Sequence, residues 1–188
     1  MIAGATLRHR FSLCVLSEMS MTPVRFPVAV IVERTPLLNR WINERWEPVA
    51  VLGAADDAAT DAPARIAGDA ARTRWRFGGY AIELHRSEAE GYFLNTSSAD
   101  PKIFVMWREV GEAAIPAIRP EVVTVSYNEA ARLLDGGEHV DAVPMLPEVL
   151  AWMTPFVAEH YKPLPKRKVK RNDPFANDGP GGNRERRR

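Results

Sequence analysis

An α+β fold is predicted: a mainly antiparallel β-sheet with two C-terminal helices packed on one face. Three observations predict it. Short apolar and alternating runs dominate residues 24–125, and sustained helical spacing begins at Ser126. Strands therefore come first and helices last. No strand–helix–strand series supports a doubly wound nucleotide-binding fold.

The elements follow in order. Val24 to Val32 (VRFPVAVIV) is β-branched and apolar, with Pro27 near its start, and reads as a strand. Thr35-Pro36 is a turn or helix-start signal. Leu37, Leu38, Trp41 and Ile42 then fit a short helix or an extended hairpin arm, and both readings stay open. Trp46 to Leu52 is a second strand. Residues 54–71 are rich in Ala and Asp and read as a surface loop. Trp75 and Phe77 alternate with Arg74 and Arg76, and Gly78-Gly79 marks a turn or bulge. Tyr80, Ile82 and Leu84 continue as a half-buried strand. Arg86 to Gly91 is read as a turn and Tyr92 to Asn95 as its return strand. Ile103 to Trp107 is apolar on both faces, hence a central strand, and Val122 to Val125 is another.

Ser126-Tyr-Asn-Glu129 fits a capping box, in which the Ser hydroxyl accepts from a free amide and the Glu reaches back. A short helix through Leu134 stops at Gly136-Gly137. Pro147 opens a second helix carrying Val149, Leu150, Trp152, Met153, Phe156 and Val157. Pro155 predicts a kink there or a restart at Thr154.

The chain has 188 residues, 46% hydrophobic and 26% charged, which suits one globular domain. No run approaches the roughly 18 apolar residues of a membrane-spanning helix. The lone Cys14 can form no internal disulfide, so a reducing, cytoplasmic setting is expected. The net charge of +1 hides an asymmetry. Residues 162–188 hold ten Lys/Arg against three Asp/Glu, a net +7, which leaves −6 for residues 1–161. Residues 162–188 have too few large apolar side chains to offset ordering entropy and are read as a disordered basic tail. Residues 1–21 read as an upstream extension, with Met19 or Met21 as the true start. The single domain is expected over residues 22–161.

Chemical motifs are sparse. Phosphate-binding glycine loops, zinc-protease helices and nucleophile elbows are absent, and no nucleophile sits beside an identifiable base. No catalytic, cofactor or metal site is expected, and an enzyme is the less favoured reading. Asp135-Gly-Gly-Glu138-His139-Val-Asp141 lacks the calcium-loop order and reads as a polar helix stop. Glu83 and His85 read as the wet side of an amphipathic strand rather than an acid/base pair. His160 at a helix C-terminus is explained by the macrodipole. Arg72, Arg74 and Arg76 offer a nucleic-acid surface, but their aromatic neighbours point the other way. They read better as arginines protecting a sheet edge. The cluster Lys166, Arg167, Lys168, Lys170 and Arg171 suits an acidic protein partner or nucleic-acid phosphates.

Further stretches carry a resemblance. They are Arg25-Phe-Pro-Val-Ala-Val with Glu33-Arg34, Asn39-Arg-Trp41, Arg45-Trp-Glu-Pro-Val49 and Glu88-Ala-Glu-Gly-Tyr92. Leu94-Asn95, Phe104-Val-Met-Trp107 and Val123-Thr-Val-Ser-Tyr-Asn-Glu-Ala130 continue the series. Val143-Pro-Met145, Phe156-Val-Ala-Glu-His-Tyr161 and Lys170-Arg-Asn-Asp-Pro-Phe175 close it. On these the chain resembles a bacterial family known as domain of unknown function 3305. The resemblance implies a gene neighbourhood of molybdenum-dependent formate dehydrogenases and their maturation factors. It therefore implies an accessory role, with a molybdoenzyme subunit or maturation factor as partner. It supplies no catalytic residues. A glycine-rich, lysine-containing segment suited to molybdopterin-guanine dinucleotide synthesis is absent. The expected function is a non-enzymatic binding protein, with Trp41 and Trp46 as candidate anchors. A nucleic-acid-binding module is the alternative.

Overall fold

A computed structural model describes residues 24–38, 40–54, 62–68, 72–111 and 115–163. Two antiparallel sheets share one core. The first has strand order β2-β1-β4-β3, from β1 (Val24–Pro36), β2 (Glu44–Gly53), β3 (Ala64–Gly68) and β4 (Thr73–Leu84). The second has order β6-β5-β7, from β5 (Lys102–Glu109), β6 (Ile118–Thr124) and β7 (His139–Pro144). Three helices complete the fold: α1 (Ala89–Thr96), α2 (Tyr127–Asp135) and α3 (Pro147–His160). The α+β class is as expected. The single sheet is corrected to two; α2 and α3 are the two expected C-terminal helices, and α1 is an additional one.

Alternation builds the core. Val28, Val30 and Val32 of β1 and Ile103 and Val105 of β5 are fully buried in one cluster. Phe77, Ile82 and Leu84 of β4 and Val143 of β7 join them. The bulge expected at Gly78-Gly79 is real: Val28 pairs with Tyr80 but Val30 with Phe77. The segment after Pro36 resolves as a hairpin arm, closed by Leu37 N–H donating to the Asn43 carbonyl at 2.9 Å.

Five local readings are corrected in whole or in part. Residues 92–95 form helix α1, not a return strand. Ala89, Tyr92 and Asn95 recur at threes and are the buried face. Within the Ala/Asp stretch, Ala64–Gly68 is a strand held by backbone pairing to β4 alone, since all five residues are exposed. The polar helix stop leads straight into β7, which pairs with β5. The capping box is half right. Ser126 Oγ accepts from Glu129 N–H at 3.1 Å, but the Glu129 carboxylate takes its hydrogen bond from the Thr124 hydroxyl. Thr124 Oγ1 in turn accepts from Ser126 N–H at 3.1 Å. Helix α3 runs unbroken through Pro155.

The two ends of the sandwich differ. At one end, where β1 begins and β4 ends, α1 and α3 seal the core with Tyr92, Val149, Met153 and Val157. Asn95 ties α1 to the strands there. Its amide donates to the Lys102 and Val125 carbonyls at 2.7 and 2.8 Å and accepts from Lys102 N–H at 2.9 Å. Tyr92 Oη accepts from His85 N–H at 3.0 Å. At the other end lie the β1–β2 and β5–β6 connections. That end is open.

Candidate functional site

The open end is a cleft of about 600 Å³ between the sheets. Its volume is in the range of small-molecule and side-chain pockets. The first sheet lines it with Arg34, Glu44 and Trp46, and the second with Trp107, Glu109 and Ile118. Arg34 continues the inward register of Val30 and Val32. Trp107 and Glu109 continue that of Ile103 and Val105.

The lining is tightly organised. Trp46 Nε1 donates to Glu44 Oε1 at 2.7 Å, and Arg34 Nε donates to Glu44 Oε2 at 2.6 Å. The Arg34 guanidinium sits 6.0 Å from the Trp46 ring centre. The Trp46 hydrogen bond, then Arg34, hold the Glu44 carboxyl below its usual range against the opposing effect of burial. Across the cleft, Trp107 Nε1 donates to Asp141 Oδ2 at 2.7 Å. His139 stacks on Trp107, with ring centres 4.5 Å apart and planes 12° off parallel.

The two connections that flank this mouth carry uncovered apolar side chains. Leu38, Trp41 and Ile42 are exposed on the β1–β2 connection, and Val110 and Ile115 on the other. Trp41 is 78% exposed and Ile115 73%. Isolated exposed apolar residues are ordinary; here five lie on the two connections beside one cleft.

The structure separates the two candidate anchors. Trp46 is 9% exposed and belongs to the core cluster. Trp41 stands on the rim, with the Arg40 guanidinium 4.4 Å from its ring centre. Arg72 and Arg74 both turn to Glu33, whose side chain is 5% exposed, at 3.6 and 2.7 Å. Arg76 pairs in register with Ile31 on β1. Strand β4, which carries Arg74 and Arg76, lies between β1 and β3, so it is not a sheet edge; β2 and β3 are the edges. The cluster Lys166, Arg167, Lys168, Lys170 and Arg171 lies outside the described residues, as do residues 1–23.

The remaining motifs are accounted for locally. Glu138 is ion-paired with Arg108, and each shifts the other: the carboxyl down, the guanidinium up. Asp141 holds the Trp107 indole. Among the described residues no group of three His, Cys, Asp or Glu is placed to hold a metal. His160 packs edge-on against Phe156 at 4.4 Å. Glu83 pairs with Arg25 at 3.0 Å, and His85 Nε2 is 3.7 Å from Glu83. Ser126 Oγ donates to Glu88 at 2.7 Å while accepting from the α2 amide, so this hydroxyl–carboxylate pair caps a helix. The mouth holds its indoles and the Glu44 and Asp141 carboxylates in fixed positions through these bonds.

Glu44 and Glu109 fell in no motif of the sequence. A charged residue at an inward strand position, such as Glu109 two residues past Trp107, was the available signal.

The family model described as protein of unknown function (DUF3305) matches residues 27–170. No curated protein and no solved structure matches the chain. Among the described residues no helix is long and apolar enough to cross a membrane.

Proposed function

The chain belongs to the DUF3305 family, and on that premise we propose that it is a binding protein whose specific contact is the mouth between its two sheets. The observation that carries this reading is the rim: Leu38, Trp41, Ile42, Val110 and Ile115 leave apolar area uncovered around an organised cleft. The partner is a protein, and the role is accessory. The system to search first is a cytoplasmic molybdenum-dependent formate dehydrogenase with its maturation factors, as the family resemblance implies. The basic cluster from Lys166 to Arg171 speeds encounter with an acidic surface of that partner.

The test is a nuclease-treated pull-down from native cell extract. Tagged full-length protein is compared with a Trp41→Ser, Ile115→Ser double variant. The parent is expected to enrich molybdoenzyme subunits or maturation factors, and the rim variant to recover about tenfold less, as loss of an aromatic anchor does. Equal recovery by both proteins removes the mouth from the contact. Capture that nuclease abolishes, and that depends on Arg72, Arg74 and Arg76, replaces this reading with a nucleic-acid-binding one.

A further inference from the structure

The two halves of the mouth repeat one chemistry. Each presents an indole whose N–H is anchored on a carboxylate at 2.7 Å: Trp46 on Glu44, and Trp107 on Asp141. The first half also contains a guanidinium. Arg34 bonds Glu44 and sits over the Trp46 ring. The second half carries an additional carboxylate, Glu109, on the inward face of β5. Among the described residues no Lys or Arg forms an ion pair with Glu109 or Asp141, and the adjacent Arg108 is paired with Glu138. The cleft lining therefore has one more carboxylate than cations. A planar guanidinium matches such a site. It forks onto a carboxylate such as Glu109 and lies flat against an indole, which an ammonium does less well, while His139 already stacks on one side of Trp107.

We infer that the Trp107–Glu109 half of the mouth takes an arginine side chain of a partner polypeptide, with apolar neighbours of that arginine covering the rim. The inference rests on the mouth being the binding surface, and it names what the mouth selects. Charge complementarity supports it locally: the cleft lining holds two carboxylates, Glu44 and Glu109, against one cation, Arg34.

The probe is a fluorescein-labelled, amidated pentapeptide of sequence ALRLA, read by anisotropy with full-length protein. Its counterparts carry citrulline or lysine at the central position. The arginine peptide is expected to bind about tenfold tighter than the citrulline peptide, the scale of one charge-assisted contact. Glu109→Gln, at an exposed position, is expected to erase that preference. The Trp41→Ser, Ile115→Ser variant is expected to weaken both peptides.

Equal binding of arginine and citrulline peptides, both weakened by the rim variant, overturns the arginine assignment and leaves the mouth as the binding surface. A lysine peptide equal to the arginine peptide overturns it too, since bulk charge then suffices. If neither peptide binds, the inference falls, and the pull-down alone judges the proposed function. Tenfold tighter binding after Arg184, Arg186, Arg187 and Arg188 are changed to glutamine identifies an occupant within the chain, which overturns the partner assignment.

Discussion

The sealed and open ends of the sandwich are built from similar residue types put to different use. At the sealed end, aromatic and polar groups are buried together and satisfied. Tyr92 and Asn95 are fully buried, and their polar atoms bond to backbone groups of neighbouring strands. Phe93 and Tyr161 stack there at 4.0 Å, closing α3 on α1. At the mouth, the polar contacts run between side chains of the lining itself, and large apolar groups on the rim stay in water. Each rim side chain forgoes about 1.5–3 kcal/mol of burial. One end is sealed by helices, and the other leaves apolar side chains exposed beside a cleft.

The comparison breaks most visibly at Asn95. Asn95→Ala strands two carbonyls and one N–H at the junction of α1, β5 and β6. Urea unfolding should register a loss of about 2–5 kcal/mol. A loss under about 1 kcal/mol means the sealed end does not carry the fold.

Tyr92→Phe is the next largest, at about 1–3 kcal/mol, because the His85 N–H loses its acceptor. It also has a pH signature. Burial pushes the Tyr92 phenol up to about 12 from 10.0. A group whose folded value is raised stabilises fully below its unfolded value and loses that contribution as pH rises through the folded one. The parent should therefore lose stability between pH 10 and about 12, and the Phe variant should show a shallower slope there. Parallel slopes place the alkaline transition on other groups.

The smallest effect is expected at the rim. Ile115→Ser should leave the unfolding free energy within about 0.5 kcal/mol of the parent. A loss of several kcal/mol would make Ile115 a core residue and would blur the distinction between the ends.

Legibility in the sequence follows the same division. Strand β1, central strand β5, the Ser126 cap and helix α3 were readable because their signals are local: β-branched runs, a Ser with Glu three residues on, and Pro at a helix start. Helix α1 was missed because Tyr92-Phe-Leu carries strand-like residues in eight positions, too few for periodicity to prevail. Its conformation is set by tertiary bonds from Tyr92 and Asn95. Strand β3 was missed because its pairing is all backbone and its side chains contribute no burial.

By itself, then, the sequence determined the fold class, the order of its main strands and terminal helix, its family and its charge asymmetry. Each of these is written in composition or in short-range spacing. Only the tertiary structure decided that there are two sheets, that one end is sealed, and that Trp46 and Trp107 share a cleft. Those residues lie 61 positions apart. Nothing in local spacing brings them together; one common core, shared by two sheets, does.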